Sequence, residues 1–75
     1  MMTVYCLHLD EILGSGICLV AAPSVRAAKE LFDAYRNTEE GSHLHNFIVV
    51  QADLVNGLVY QGEEAKVFCH HSHAE

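Results

Sequence analysis

The stretch that decides the fold is Ile17-Cys18-Leu19-Val20-Ala21-Ala22-Pro23-Ser24-Val25-Arg26-Ala27-Ala28-Lys29-Glu30-Leu31-Phe32-Asp33-Ala34-Tyr35. Its hydrophobic period changes halfway. Ile17 to Ala22 is apolar without alternation, as a central strand covered on both sides would be. After Pro23, Ala28, Leu31, Phe32 and Tyr35 recur at i, i+3, i+4 and i+7, the stripe of an amphipathic helix. Ser24 stands where its hydroxyl can accept from amides of the first turn that have no helical partner. Arg26, Lys29, Glu30, Asp33 and Arg36 fall outside the stripe, and Arg26–Glu30 and Lys29–Asp33 have the spacing of i,i+4 ion pairs. The polar run Asn37-Thr38-Glu39-Glu40-Gly41-Ser42 ends the helix.

On the N-terminal side, Thr3 to Leu9 alternates weakly and forms a strand. Asp10 to Gly16 breaks it, with Gly14-Ser15-Gly16 as the turn signal, so the first two strands make an antiparallel hairpin with a longish loop. On the C-terminal side, Phe47-Ile48-Val49-Val50 anchors a strand over Asn46 to Ala52. Asn56-Gly57 is a hairpin-type dipeptide. Leu54-Val55 and Leu58-Val59-Tyr60 are then short strands across it; the alternative is an extended loop from Asp53 to Gly62. Ala65 to His70 is a last strand. The expected fold is α+β: a small mixed β-sheet in ββαββ order, four to five strands, with one helix packed on one face. A right-handed crossover through the helix places the third strand parallel to the second in the same sheet, beside either the first or the second. Residues 1–75 form one domain, with 70–75 as a tail open to disorder.

Composition narrows the function classes. The chain has 75 residues, 51 % hydrophobic and 19 % charged, with net charge −6, and its mean hydropathy is +0.15. Disordered chains are poor in the apolar residues abundant here. Ten acids face four bases, and Arg26, Lys29, Arg36 and Lys66 are scattered, which disfavours nucleic acid and anionic membrane as partners. The longest apolar run, Ile17 to Pro23, is far short of a membrane span. Met1-Met2-Thr3 lacks the basic region and long apolar stretch of a secretory signal, so a cytoplasmic location is expected. Cys6, Cys18 and Cys69 cannot all pair within one chain, and two of them sit in strand-like runs, which suits buried reduced thiols.

Two constellations carry possible chemistry. The tail is Cys69-His70-His71-Ser72-His73. On a strand, Cys69, His71 and His73 would share one side at about 6–7 Å in succession. Zinc, nickel or copper would accept such ligands, with His43 and His45 as a second cluster. Solvent-exposed titrating histidines are the plainer account. The other constellation is Cys6 and His8, on one face of the first strand, as nucleophile and base. Asp10 or Asp53 could orient the histidine, and Cys69 could likewise reach a tail histidine. Gly14-Ser15-Gly16 lacks the third glycine and the lysine of a nucleotide loop, and the paired acids Asp10-Glu11, Glu39-Glu40 and Glu63-Glu64 lack EF-hand spacing.

Ala21-Ala22-Pro23-Ser24-x-x-x-Ala28-x-x-Leu31, followed by Gly57-Leu58-x-Tyr60-x-Gly62 before a final strand, resembles short uncharacterised proteins of gut bacteria. The likeness covers most of the chain, leaves out the Cys/His tail, and implies an α+β fold with no catalytic or binding residues to carry over.

One helix can cover only one face of a sheet whose strands are apolar on both. The expected remedy is a second copy of the chain, docked through the apolar sheet face or a strand edge, since two-fold homodimers are the commonest oligomer. The expected function is therefore non-enzymatic protein association, as a homodimer first and with another protein at the same sheet face or strand edge as the second option. The alternatives are transition-metal binding by the tail, with zinc as the candidate cofactor, and a cysteine-dependent enzyme.

Overall fold

The computed structural model describes residues 2–74, with side chains from Met2 to Phe68. In chain order the elements are β1 (Met2–Glu11), β2 (Gly14–Ala22), α1 (Val25–Tyr35), a 3-10 turn (Ser42–Leu44), β3 (Ile48–Tyr60) and β4 (Lys66–Ala74). The strands form one four-stranded sheet in the order β3-β1-β2-β4.

Every pairing in that sheet is antiparallel, which corrects the expected mixed sheet. The crossover does leave β3 running in the same direction as β2. β3, however, docks on the far side of β1, so β1 lies between the two co-directional strands and no parallel ladder forms. β1 has apolar side chains on both faces and tolerates a neighbour on each side, whereas β2 spends its other edge on β4.

α1 forms where the change of period places it. Ser24 is the N-cap, and its hydroxyl accepts from the Ala27 amide at 3.1 Å. Ala28 and Phe32 are buried, with Leu31 and Tyr35 packed beside them. Burying a side chain the size of Phe32 stabilises by about 2–3 kcal/mol. Against the helix lie Leu7 and Leu9 of β1 and Cys18, Val20 and Ala22 of β2, the alternate residues that share one face of the hairpin. Arg26 and Glu30 make the expected ion pair at 3.4 Å, but Asp33 pairs with Arg36 at 3.1 Å rather than with Lys29.

Leu44 and Phe47 close the core beside the start of β3. Arg36 ties this segment down: Nη1 donates to the Phe47 carbonyl at 2.7 Å, and the guanidinium lies 5.9 Å from the Phe32 ring centroid. Gly41 is buried against the end of α1, and a Cβ there would overlap the Tyr35 carbonyl oxygen. Glycine is needed at that crossing because the two backbones touch.

The expected β1–β2 hairpin forms with a shorter turn, and the expected reversal at Asn56-Gly57 is absent. Gly14, Ser15 and Gly16 belong to β2, opposite Glu11, Asp10 and Leu9, and the hairpin loop is only Ile12-Leu13. Main-chain pairing needs no side chain, so the ladder runs through both glycines. Asn56-Gly57 does not reverse the chain. A two-residue reversal of the Asn-Gly type needs positive φ at both positions; here only Gly57 is positive, at 78°. The segment bulges instead: Leu54 pairs with Tyr5 and Val59 with Thr3, so Val4 alone faces residues 55–58.

Candidate functional site

The features that can serve function lie on the helix-free face of the sheet and along the outer edge of β3. On that face the register sets Val4 beside Ala21, Cys6 between Leu19 and Asp53, and His8 between Ile17 and Gln51. At one end the face is closed. Val4 and Ala21 are 1 % and 0 % exposed with no helix above them. Tyr60 and Phe68 meet edge-to-face there, with centroids 5.1 Å apart. Lys66, paired with Ala21, holds its ammonium 5.7 Å from the Tyr60 centroid and 5.2 Å from that of Phe68. Since β3 and β4 are the outer strands, this contact bridges the sheet and accounts for the cover over Val4 and Ala21.

The middle of the face is polar. His8 Nε2 lies 2.8 Å from Asp53 Oδ2. The Gln51 amide donates to both carboxylate oxygens, at 3.0 and 2.9 Å. These contacts hold the Asp53 carboxyl below its ordinary value, the Gln51 amide contributing most and His8 next. Of the two acids that could orient His8, register selects Asp53. The alternation of β1 shows that His8 faces away from the helix, but only the β1–β3 register reveals its partner, and nothing local singled out Gln51 at all.

Cys6 is half-buried two residues from His8 and opposite Asp53 in register. An oriented histidine beside a thiol is the start of a nucleophilic arrangement. α1 packs on the opposite face, so its N-terminal amides cannot stabilise an oxyanion here. Cys18 is buried on the helix side of the sheet.

The tail residues Cys69, His71 and His73 pair with Leu19, Ile17 and Ser15 of β2; their side chains lie outside the described residues. His43 and His45 are exposed, within and just after the 3-10 turn. Among the described residues no group of three or more His, Cys, Asp or Glu is placed to hold a metal ion. No helix among them is long and apolar enough to cross a membrane.

The outer strand β3 carries most of the large exposed apolar side chains of the sheet. β3 is an outer strand of 13 residues. Ile48, Val50, Leu54, Leu58 and Val59 are 46–60 % exposed. Asp53 is the one charged residue between Ile48 and Tyr60. Near the start of β3, Ile12 at the hairpin tip is 98 % exposed and adjoins Ile48 in a shallow depression with Asp10, Glu11 and Asn46. No protein-family model, curated protein or solved structure matches this chain.

Proposed function

We propose that the protein is a non-enzymatic association module that pairs with a second copy of itself along the outer edge of β3. One observation carries this reading. The longest strand lies at the sheet edge, bears five exposed large apolar side chains and has a single charge. Outer strands of soluble proteins are ordinarily blunted by lysine, proline, shortness or bulges. β3 has no lysine or proline, and its largest bulge begins only after Leu54. The run Ile48 to Leu54 carries only a smaller irregularity at Val50, between Val49 and Gln51, and no gatekeeping side chain except Asp53.

The occupant is a second copy for two reasons. An antiparallel edge is self-complementary about a two-fold axis, so one surface supplies both halves of the interface. The helix-free face, the other candidate surface, is closed over Val4 and Ala21 and carries the His8–Asp53–Gln51 cluster beside Ile17, 40 % exposed, whereas β3 bears five large apolar side chains that are more exposed.

Sedimentation velocity over a concentration series tests this. The expected result is a species of twice the monomer mass in wild type that Leu54→Lys dissociates, because a lysine on the edge must lose its hydration to let a strand dock. Leu54 is exposed, so circular dichroism of the variant should be unchanged. A wild-type protein that stays monomeric at high micromolar concentration overturns the reading.

A further inference from the structure

Asp53 has a particular place on the edge described above. It is the only charge on β3, its side chain is half exposed, and its partner His8 sits on the neighbouring strand with its side chain 40 % exposed. When β3 pairs with its symmetry mate, each Asp53 gives up part of its hydration, and the only charge of each edge strand is carried into one shared sheet. Both effects oppose association, since like charges on adjoining antiparallel strands repel and a carboxylate resists losing water.

The charge on this site depends on His8. With a neutral ring, Nε2–H donates to the carboxylate and the pair carries one negative charge. With a protonated ring the same contact is an ion pair with no net charge. Histidine changes charge between about pH 5 and 8. The groups around His8 are few: Cys6 and Asp10 on its own strand, Asp53 and Gln51 on β3, and Ile17 on β2, beyond which His71 follows in register on β4. α1 lies on the other face.

We propose that the His8–Asp53 pair makes self-association proton-dependent, with protonation of His8 neutralising the β3 edge and tightening the pairing of two copies. This rests on the self-association proposed above. It adds a regulator, and it separates His8, which contacts the only charge on β3, from the other histidines, whose protonation also reduces the net charge of −6.

The test is the dimer dissociation constant by sedimentation velocity at about pH 8 and about pH 5.5, for wild type, His8→Asn and Asp53→Asn. Wild type should tighten on acidification by about fivefold more than His8→Asn, which retains every other histidine. Asp53→Asn should already pair tightly at the higher pH, and its response should match that of His8→Asn. If His8→Asn responds to pH as strongly as wild type, the switch is overturned while self-association stands. If no variant and no condition yields a dimer, both fall together.

Discussion

His8 and Asp53 are 45 positions apart in sequence, yet their side chains meet on the helix-free face and tie β3 to β1 through titratable groups. The pH signature of this contact follows from the direction of the Asp53 shift. The carboxyl is held below its ordinary 3.8 by the Gln51 amide and then by His8. A depressed acid contributes stability that is present above the unfolded-state value and is lost as pH falls through the folded-state value. Asp53→Asn should therefore be less stable than wild type in thermal melts at neutral pH, and the gap should close as the pH drops below about 4. A gap that stays constant into strong acid would mean that the carboxylate draws nothing from these partners. His8 could be placed on its face from the alternation of β1. The choice of Asp53 over Asp10 could not, because it depends on a register that β1 does not encode alone.

At the scale of elements, the helix was legible because its information is local. Pro23, Ser24 and the spacing of Ala28, Leu31, Phe32 and Tyr35 all point to one element, and the structure has it at Val25–Tyr35. β3 was not legible as a single strand, because Asn56-Gly57 has the composition of a reversal and only the backbone angles distinguish a bulge from a hairpin. That distinction can be tested at Gly57, where a side chain would meet nothing within 4 Å but must adopt φ +78°. Gly57→Val should cost about 1–2 kcal/mol in urea unfolding and Gly57→Asn distinctly less, since asparagine tolerates this region far better than β-branched residues. Equal costs would show that the backbone there is not held at positive φ. A second test concerns the segment between α1 and β3. Arg36→Gln removes a 2.7 Å donor to the Phe47 carbonyl, the ion pair with Asp33 and the contact over Phe32. It should destabilise by about 1–3 kcal/mol, with the loss of amide protection concentrated at Leu44 and Phe47. An effect within a few tenths of a kcal/mol would mean that the loop closes without it.

For the molecule as a whole, composition and period were enough for an α+β chain with one helix, one sheet and an apolar excess. They did not locate the excess. Strands apolar on both faces suggested an uncovered sheet face, but Tyr60, Phe68 and Lys66 come together from the two outer strands and close one end of it. The exposed apolar residues instead concentrate along β3 and at Ile12 and Leu13 of the hairpin tip. That outcome depends on sheet order, which no single segment specifies: β3 became an edge because it docked beside β1.

The central claim is that this edge pairs with a second copy of the chain, and amide hydrogen exchange measured in dilute and in concentrated solution locates the interface directly. The account predicts that protection rises with concentration at amides within Ile48 to Leu54, while amides of the central strands β1 and β2 exchange at the same rate in both solutions. Protection of β3 that does not change with concentration, or a change that falls on α1 instead, would contradict it.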